Sequence, residues 1–478
     1  MKTLQQIEAF FELKVSGNNR ELFDLCLDSR GVVAGSVFIA LQGSQTHGLD
    51  FLQQAIKQDV GLVLADKKNI VESASLVLYI VNLADKLASF SAWFYDYPSK
   101  NLKIVGITGT NGKTSVAHYV AQICHQKFKT ALLGTLGNGI VGELTPSTNT
   151  TLDTVSLNRQ LAEFREKNVK VVLMEVSSHA IALGRIEGLK FHALALTQVT
   201  RDHLDFHGSV ENYQATKKQL FIDYSAKYWV LNADDSIGVD LLGMKPKDVV
   251  VESYGLAGES RVTEIEYLST GLQFKLEGRL LRTNLFGHFN LANILCSLAI
   301  CRSLSLDSEF VLQALEKLTP VIGRMDVVAN KPTIMIDYAH TDDALKSVLS
   351  AVKSHLSKTK QKLIVVFGCG GDRDNSKRSL MGRVASDFAD QIILTDDNPR
   401  FESATKIMDE ILEGLDRSVV NVTCIHQRAK AIAFAVRQAS KDDLIVIAGK
   451  GHENYQDIQG VKYPMSDFEL VKQAVANQ

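Results

Sequence analysis

Short apolar runs alternate with amphipathic stretches along most of the chain, a pattern typical of parallel sheets whose strands are joined by helices. The first hundred residues hold one such run, residues 36–41, between turn-forming residues, which predicts a small α/β module. After a turn-rich joint at residues 97–101, longer apolar runs predict two further sheets, with strands at residues 102–108, 169–176, 193–199 and 228–231 and at residues 333–336, 363–367, 391–395 and 444–448. We therefore expect an α/β protein of three domains, with a doubly wound sheet in the central one.

The composition fits a chain that buries several cores and carries little net charge. Of the 478 residues, 45% are hydrophobic, and the formal net charge is -2, so no basic field is present to attract nucleic acid or an anionic membrane surface. The six cysteines lack the paired spacing of a zinc site and are interpreted as reduced thiols. No signal peptide is expected, because residues 1–14 mix charged with apolar residues, and no apolar run is long enough to cross a bilayer. These features predict a cytoplasmic protein that binds neither nucleic acid nor membrane.

A glycine-rich loop, Gly-Thr-Asn-Gly-Lys-Thr at residues 109–114, lies between the strand predicted at 102–108 and a helix predicted at 115–126. This is the setting of a phosphate-binding loop, in which backbone N–H groups and the helix N-terminus face the anion. Lys113 would then reach the terminal phosphates, and the hydroxyl of Thr114 a magnesium ion. Strict Walker spacing has glycine where this chain has Ile107. The alternative is a glycine-rich turn with an exposed lysine, but the flanking strand and helix favour nucleotide binding.

Two polar clusters follow the next predicted strands, at the ends where active sites of open α/β sheets form. Glu175 ends one strand, just before Ser177 and His179, and it offers the oxygen ligands that magnesium prefers. Residues 200–208 hold two histidines and two aspartates within nine positions. A solvated loop can have the same composition, but the position directly after a buried strand favours a catalytic role.

With these motifs in this order, the chain resembles the Mur ligase family, which builds the peptide stem of bacterial peptidoglycan. The resemblance covers almost the whole chain and rests on the segments 108–114, 175–179, 202–208, 323–325 and 337–341 and on Gly287, Asn290 and Asn293. It implies a uridine-binding α/β domain at residues 1–98, a central P-loop ATPase domain with a doubly wound sheet at 99–325, and a Rossmann-like amino-acid-binding domain at 326–478.

The resemblance implies an ATP-dependent ligase. ATP would phosphorylate a substrate carboxylate to an acyl phosphate, which an amine attacks to give an amide and phosphate, while magnesium offsets the negative charge of the transition state. Lys113, Glu175, His203 and Lys217 are the implied catalytic residues. Thr114, Glu175, His203 and Lys217 are the implied metal ligands, the last after reaction with carbon dioxide to a carbamate. The residues of Lys217's own segment leave open that it is an ordinary surface lysine.

The resemblance also implies contacts to ATP from the central and third domains, and hence domain closure around the nucleotide. Arg324 suits phosphate charge, and Asp337 could accept hydrogen bonds from ribose hydroxyls. The residues implied to contact ATP are Gly109, Thr110, Asn111, Gly112, Lys113, Thr114, Ser115, Asn293, Arg324, Asp337 and His340.

The pattern at residues 28–43 resembles the uridine-binding domain of the family members that add the third residue of the stem. The implied acceptor is UDP-N-acetylmuramoyl-L-alanyl-D-glutamate, whose carboxylate and pyrophosphate oxygens would be met by hydroxyl, amide and guanidinium groups. The residues implied to bind it are Ser29, Asn149, Thr150, Thr151, Ser177 and Arg185.

Three loops after strands of the third domain resemble the family site for meso-diaminopimelate, which carries a second ammonium and carboxylate at its far end. The residues implied for this pocket are Arg373, Asp397, Asn398, Arg400, Gly449 and Glu453. Arg400 would clamp the far carboxylate, with Arg373 adding positive charge, and Glu453 would accept from the far ammonium. A lysine-adding enzyme would leave such an arginine unpaired in a closed site. Addition of L-lysine stays the alternative, as does a simple turn role for Arg400.

Several positions depart from the family pattern. Gln198, Asp326 and Asp342 stand where asparagine, glutamate and proline are usual, and these changes keep similar polarity or lie outside the proposed chemistry. His47-Gly48 replaces Asp-Gly, and residues 401–404 lack the Glu-Asp-Pro that commonly follows the arginine motif. These two departures leave open one uridine contact and the shape of the acceptor loop.

Other classes of protein fit part of the sequence. A related ligase could act on a preformed tripeptide or on folate, but the first should lack the diaminopimelate pocket and the second the uridine domain. A P-loop motor or regulatory ATPase would hydrolyse ATP without an acceptor, and a nucleotide-binding scaffold would not need the intact catalytic set. We expect a monomeric enzyme.

Overall fold

The computed structural model describes residues 1–43, 45–67, 77–147, 149–259, 262–268, 270–356, 361–416 and 420–477. The chain divides into two compact units. One consists of residues 1–106, 128–192 and 219–227, and the other of residues 107–127, 193–218 and 228–478. In the described ranges, no helix is long and apolar enough to cross a membrane.

The N-terminal region forms the small α/β module that the sequence predicts. Strand β1 (Lys2–Thr3) pairs antiparallel with β2 (Glu21–Leu22). The strands β3 (Leu25–Cys26), β4 (Val37–Ala40), β5 (Leu62–Ala65) and β6 (Val77–Tyr79) pair in that order, all parallel. The helices of this region are α1 (Leu4–Phe10), α2 (Leu52–Lys57) and α3 (Leu83–Phe94). Every residue of β4 and β5 is buried, as expected for inner strands of a parallel sheet covered on both faces.

The central region is built on a seven-stranded sheet. Its strands are β7 (Lys103–Thr108), β8 (Thr130–Gly134), β9 (Gly137–Ile140), β10 (Val171–Glu175), β11 (Phe191–Leu196), β12 (Ala226–Asn232) and β13 (Val250–Tyr254). They lie in the order β13-β12-β11-β7-β10-β8-β9, and β9 returns antiparallel to β8. The helices are α4 (Lys113–Cys124), α5 (Thr154–Glu166), α6 (Ser178–Ala182), α7 (Leu204–His207), α8 (Val210–Asp223) and α9 (Ser236–Met244). The four predicted strands correspond to β7, β10, β11 and β12 within a few residues.

Helix α5 is held to the N-terminal region by polar contacts within one compact unit. Arg159 donates from Nε to Asp24 Oδ1 at 2.8 Å and from Nη2 to the carbonyl of Leu25, and the Tyr95 hydroxyl donates to the same Asp24 oxygen. Arg165, one turn and a half farther along the helix, donates to the carbonyl of Tyr95 at 3.2 Å. These contacts cross the domain boundary at residue 98, which stays a prediction.

A small antiparallel sheet follows, which the sequence reading did not predict. It consists of β14 (Val262–Leu268), β15 (Gly271–Leu276) and β16 (Arg279–Thr283), paired in that order. Helices α10 (His288–Ser303) and α11 (Ser308–Glu316) come next. Most residues of α10 are buried, so its polar members are positioned by packing.

The C-terminal region is built on a six-stranded sheet. Its strands are β17 (Asp326–Asn330), β18 (Thr333–Asp337), β19 (Leu363–Phe367), β20 (Gln391–Leu394), β21 (Asn421–Cys424) and β22 (Leu444–Ala448), in the order β17-β18-β22-β19-β20-β21. Only β17 is antiparallel to its neighbour. The hairpin of β23 (Tyr455–Ile458) and β24 (Val461–Pro464) follows β22. The helices are α12 (Asp342–His355), α13 (Ser376–Phe388), α14 (Ala404–Leu412), α15 (Arg428–Gln438) and α16 (Asp467–Ala476).

A buried ion pair links α15 to α16. Arg428 donates to the two carboxylate oxygens of Asp467 at 2.7 Å each, and both side chains are inaccessible to solvent. Arg428 also donates to the carbonyl of Ala448 at 3.0 Å, at the end of β22. The pair therefore fixes the point where the chain enters the loop that begins at Gly449.

Candidate active site

The glycine-rich loop runs from the end of β7 into α4. Gly109 has a φ of +147°, which L side chains rarely adopt, and a Cβ there would lie 1.8 Å from Thr197 Oγ1. The Thr197 hydroxyl donates to the carbonyl of Asn111 at 2.6 Å, and the amide of Thr110 donates to the carbonyl of Gln198 at 2.7 Å. Glycine is therefore needed where the loop passes against the segment after β11.

Helix α4 begins at Lys113, two residues earlier than predicted, with Gly112 as its N-cap at φ +90°. Thr114 and Ser115 consequently lie buried in the first helical turn, where backbone N–H groups have no partner inside the helix and favour anions. The Lys113 ammonium donates to two backbone carbonyls of the loop at 2.9 Å each. The strand, loop and helix expected of a phosphate site are all present.

Asn293 contacts this loop from α10. A Cβ at Gly112 would lie 2.6 Å from Asn293 Oδ1, so the two residues are close. Asn293 Nδ2 donates to Asn290 Oδ1 at 3.1 Å, which also accepts from the Tyr119 hydroxyl at 3.1 Å. Asn290 in turn donates to the carbonyl of Phe286 at 2.9 Å. The Gly-x-x-Asn-x-x-Asn motif thus holds Asn293 against the phosphate loop.

Lys217 lies inside the protein, so its interpretation as a surface lysine is wrong. Its ammonium nitrogen donates to the carbonyl of Gly109 at 2.9 Å and lies 4.7 Å from the centre of the Tyr213 ring. Burial, and then the nearby Lys113 ammonium, hold the pKa of Lys217 well below its usual range. The adjacent Lys218 instead forms an ion pair with a surface aspartate. Burial and the Lys113 ammonium thus both favour the neutral amine form of Lys217.

Tyr213 connects the phosphate loop to the histidine segment, and the sequence reading did not assign it a role. Its hydroxyl lies 2.9 Å from Thr110 Oγ1, and burial raises its pKa. Its ring centre is 6.4 Å from that of His203. His203 has a left-handed φ of +51°, keeps 47% of its side chain exposed, and points Nε2 to within 3.5 Å of Asp202 Oδ2. The signal in the sequence that could have identified Tyr213 was its i, i+4 spacing from Lys217, which places both side chains on one face of α8.

Glu175 ends β10 as a buried carboxylate. Its Oε1 accepts from the amide of Thr135 at 2.9 Å, and its Oε2 accepts from the Thr135 hydroxyl at 3.1 Å. The same hydroxyl lies 3.2 Å from Thr150 Oγ1. A Cβ at Gly134 would lie 2.2 Å from Glu175 Oε1, so this glycine leaves the space that the carboxylate fills. Thr135 was not predicted as a site residue.

The predicted acceptor residues of the central region come together beside Glu175. Thr151 donates from Oγ1 to the carbonyl of Glu175 at 2.9 Å and to Ser177 Oγ at 3.2 Å, and the amide of Ser177 donates back to Thr151 Oγ1 at 3.0 Å. Arg185 donates to the carbonyl of Thr151 at 3.3 Å. Asn149 lies exposed at the start of this segment. These residues surround the end of β10 with hydroxyl and guanidinium groups.

The predicted uridine region contains buried polar contacts. The hydroxyl of Ser29 donates to Gln54 Oε1 at 3.0 Å. His47, at the position that departs from the family pattern, pairs its Nε2 with Asp66 Oδ1 at 2.7 Å. His47 is therefore held by the fold itself.

Asp337 supports the turn that carries Arg324. One carboxylate oxygen accepts from the amide of Met325 and the other from the amide of Ala339, each at 2.7 Å. Burial raises the pKa of Asp337, which the Arg324 cation and these two hydrogen bonds oppose. Its contact with a ribose stays a prediction, and its role in shaping this turn was not foreseen.

An aromatic group holds the Arg324 guanidinium. Its carbon lies 4.6 Å from the centre of the Tyr338 ring, which is 5.1 Å from the ring of His452. His340 sets Nδ1 2.9 Å from the carbonyl of Tyr338 and keeps its side chain exposed. Burial and then the Arg324 cation lower the pKa of His452 to about 4. Arg324, His340 and His452 thus all lie close to the ring of Tyr338.

Arg400 adopts a left-handed conformation that the C-terminal hairpin maintains. Its φ is +50°, its amide donates to the carbonyl of Asp457 at 3.0 Å, and its own carbonyl accepts from the amide of Gln459 at 2.8 Å. The guanidinium donates from Nη1 to the carbonyl of Gly371 at 2.5 Å. Arg400 therefore spans two loops, which a simple turn residue does not require.

Asn398 and Glu453 meet around a buried lysine. Asn398 Nδ2 donates to Glu453 Oε2 at 2.9 Å, and its Oδ1 accepts from Lys450 Nζ at 3.0 Å and from the amide of Asp457 at 2.9 Å. Lys450 Nζ is also 2.9 Å from Glu453 Oε2. Burial alone would raise the pKa of Glu453, but the Lys450 ammonium and the hydrogen bonds from Lys450 and Asn398 hold it below its usual range. The sequence reading did not predict Lys450 as a site residue.

The other predicted pocket residues divide into buried and exposed ones. Asp397 is buried, and a Cβ at Gly449, whose φ is +110°, would lie 2.6 Å from its Oδ2. Arg373 is exposed. Arg373 is therefore accessible to solvent, whereas Asp397 packs against Gly449.

A buried arginine that sequence reasoning missed supports the Arg400 loop. Arg378 donates to Glu402 at 3.0 Å, to Glu410 at 2.6 Å and to the carbonyl of Gly370 at 3.1 Å. Glu402 also accepts from the amide of Asp372 at 2.5 Å. These contacts join the loops after β19 and β20, although the Glu-Asp-Pro sequence is absent.

Comparisons with known proteins agree with this arrangement. Three family models match successive segments: the Mur ligase family catalytic domain at residues 24–95, the Mur ligase middle domain at 107–301, and the Mur ligase glutamate ligase domain at 323–451. These matches confirm the predicted three-domain α/β architecture.

Individual proteins match over nearly the full length. The chain is 41% identical to the UDP-N-acetylmuramoyl-L-alanyl-D-glutamate--2,6-diaminopimelate ligase of Chromobacterium violaceum, covering 94% of this chain and 93% of that protein. It is 38% identical to the enzyme of the same name from Haemophilus influenzae, covering 98% and 99%. A solved structure of an enzyme of this name matches with a TM-score of 0.70 at 32% identity, covering 100% and 99%. A MurF ligase from Thermotoga maritima in complex with ADP has the same fold, with a TM-score of 0.68 at 18% identity and coverage of 95% and 97%.

Proposed function

Since the chain belongs to the Mur ligase family, we propose that it joins meso-diaminopimelate to the D-glutamate of UDP-N-acetylmuramoyl-L-alanyl-D-glutamate in an ATP-dependent reaction. Relatives named for this reaction are 38% to 41% identical over nearly the whole chain. Their names do not favour the L-lysine alternative. The protein is thus an ATP-dependent peptide ligase of peptidoglycan precursor synthesis.

The choice of amino acid rests on two groups of opposite charge, which lie on neighbouring loops of the C-terminal region. Arg400 presents a guanidinium, and Glu453 presents a carboxylate that Asn398, two residues before Arg400, holds at 2.9 Å. An amino acid with both a carboxylate and an ammonium at its far end satisfies both groups. Lysine, which lacks the far carboxylate, would satisfy only Glu453.

The residues support a reaction through an acyl phosphate. An oxygen of the D-glutamate carboxylate attacks the γ-phosphorus of ATP, and ADP leaves. The diaminopimelate amine then attacks the acyl carbon, loses a proton and expels phosphate as the amide forms. We assign the phosphate grip to the loop at 109–114 and charge stabilisation to Lys113 and Arg324. Thr151, Ser177 and Arg185 orient the dipeptide near the end of β10.

Magnesium fits the chemistry of the proposed ligands. The Thr114 hydroxyl and the Glu175 carboxylate are hard oxygen donors, and Thr135 orients the carboxylate through two hydrogen bonds. In the described ranges, no three His, Cys, Asp or Glu side chains gather as a cage, so phosphate oxygens and water would complete the coordination. Bound magnesium would withdraw electrons from the phosphoryl group. His203 remains the proposed aid to a second ion.

Carbamate formation on Lys217 is proposed from its surroundings. A lysine must be neutral to attack carbon dioxide, and burial, together with the nearby Lys113 ammonium, lowers the pKa of Lys217 and so favours the neutral amine. The reaction joins Nζ to carbon and releases one proton. The product carries a negative charge that the neighbouring Lys113 ammonium would offset.

The direct test offers purified protein ATP, magnesium, the UDP-linked dipeptide, and either diaminopimelate or lysine. Phosphate release should require the dipeptide and diaminopimelate together, and preference for lysine would overturn the amino-acid assignment while sparing the ligase. Arg400→Ala should raise the KM for diaminopimelate far more than the KM for ATP. Arg383→Ala, at an exposed position of α13, is the control.

Lys217 is tested separately. With ¹³C-bicarbonate, the wild type should give a carbamate resonance that Lys217→Ala lacks and Lys218→Ala keeps, because Lys218 lies in a surface ion pair. Removal of carbon dioxide should lower turnover, and added bicarbonate should restore it. A wild type without this resonance and with full turnover in carbon-dioxide-free buffer would rule the carbamate out.

Monomeric state, cytoplasmic location and the domain boundaries at residues 98 and 325 remain proposals.

A further inference from the structure

Lys450 places a buried ammonium group inside the proposed amino-acid pocket. It follows β22 after Gly449, and no part of its side chain is exposed. Its ammonium is 3.0 Å from Asn398 Oδ1 and 2.9 Å from Glu453 Oε2. Because both partners belong to the loops that frame the pocket, the charge is fixed there before any amino acid binds.

The arrangement leaves the two oxygens of Glu453 unequal. Oε2 accepts from both Lys450 and Asn398, whereas Oε1 takes part in neither hydrogen bond. The Glu453 side chain keeps 18% of its surface exposed, so a ligand ammonium can still reach it. Glu453 can therefore accept a hydrogen bond from a ligand while its negative charge is already balanced.

This balance changes which ligands the pocket attracts. The formal charges of Lys450 and Glu453 cancel, as do those of the predicted pocket residues Arg373 and Asp397, so Arg400 leaves the set with one positive charge. A side chain with only an ammonium, as in lysine, meets a pocket of positive net charge. A far end with both ammonium and carboxylate is neutral overall and brings its own partner for Arg400.

We propose that Lys450 is a specificity-determining residue, which disfavours amino acids with a singly cationic side chain and thereby selects a zwitterionic far end. The proposal rests on the proposed function, since it concerns the choice of amino acid in that reaction. Lys450 acts through the net charge of the pocket and need not touch the substrate. Selectivity then depends on Lys450 as well as on the arginine that binds the far carboxylate.

The test is Lys450→Met, which keeps the length of the side chain and removes its charge. We expect kcat/KM for lysine relative to that for diaminopimelate to rise at least about tenfold, because Glu453 becomes an uncompensated anion. The KM for ATP should stay unchanged. The matched control is Lys462→Met, because Lys462 lies over the Tyr455 ring at 4.3 Å on the exposed hairpin and is not paired with Glu453 in the structure.

A second pair of variants keeps the proposal testable if Lys450→Met folds poorly. The double variant Lys450→Met/Glu453→Gln has one positive charge fewer than Glu453→Gln, just as Lys450→Met has one fewer than the wild type. The double variant also leaves neither Lys450 nor Glu453 as an unpaired ion. Adding Lys450→Met should again raise the relative use of lysine. An unchanged ratio in both backgrounds, or an equal loss with both amino acids, would overturn the role of Lys450. A wild type that ligates neither amino acid would instead refute the proposed function.

Discussion

Replacing Gly134 with alanine would displace Glu175 without altering its carboxylate. The backbone of Gly134 is not in the left-handed region, so alanine can adopt its backbone conformation without strain. Its Cβ would lie 2.2 Å from Glu175 Oε1, 2.8 Å from Cδ and 3.0 Å from Cγ. The three atoms nearest to this Cβ all belong to the Glu175 side chain, so the carboxylate must move.

The size of the effect follows from these distances. Ordinary contact begins near 3.4 Å, so Oε1 must retreat by about 1.2 Å, which breaks at least one of the hydrogen bonds from Thr135 at 2.9 and 3.1 Å. A hydrogen bond to a charged group contributes about 1.5–3 kcal/mol to stability. A misplacement of about 1 Å in an active site lowers turnover roughly 100-fold. We therefore expect a modest loss of stability and a large loss of kcat.

The assay measures ligation at increasing magnesium concentration, with thermal unfolding followed in parallel. Gly134→Ala should lower kcat about 100-fold and raise the magnesium concentration needed for half-maximal activity. Gly243→Ala in α9 is the control, because a Cβ there meets nothing within 4 Å. If Gly134→Ala kept the wild-type kcat and magnesium dependence, Glu175 would not be a metal ligand.

Three further changes probe other parts of the structure. Gly112→Ala should weaken ATP binding at least about tenfold by calorimetry, because the left-handed backbone costs about 1–2 kcal/mol and Asn293 must move; unchanged affinity would contradict this. Asp467→Ala should lower the free energy of unfolding in urea by about 3–5 kcal/mol, because Arg428 keeps an unpaired buried charge, and a loss below about 1 kcal/mol would count against that account. The pKa of His452 is lowered from 6.5 to about 4, so only the unfolded state gains a proton there as pH falls across this window, and stability is lost. His452→Gln should reduce the difference in unfolding free energy between pH 7 and pH 5, and equal differences in both proteins would exclude the histidine.

The sequence predicts the strands best where they are wholly apolar. The run at 444–448 corresponds to β22 residue for residue, and that at 363–367 to β19, because inner strands of a parallel sheet are buried on both faces. Strands β14 to β16 and the β23–β24 hairpin were missed, since polar residues occupy many of their positions. Their pairing depends on contacts that no local pattern contains.

In the candidate site, too, some residues could be predicted from the sequence and others could not. For motif residues such as Lys113, Glu175 and Arg400, the residue type and the motif were enough to predict a chemical role. Their assembly into a working site stays a prediction. The residues that position them were missed: Thr135 orients Glu175, and Arg378 joins the loops around Arg400. A threonine or a helical arginine has many ordinary uses, and only the fold brings it beside its partner.

The anchoring of α5 by Arg159 bears on how this enzyme could be re-engineered. The segment that ends at residue 98 could be chosen as a unit to exchange between enzymes. Without α5, however, Asp24 and Tyr95 would lose their shared contact with the Arg159 guanidinium, and the Tyr95 carbonyl would lose its hydrogen bond from Arg165. A chimaera that exchanges the first region between related enzymes should therefore carry α5 with it, or import both arginines. Such a graft would therefore extend at least to Glu166, the last residue of α5.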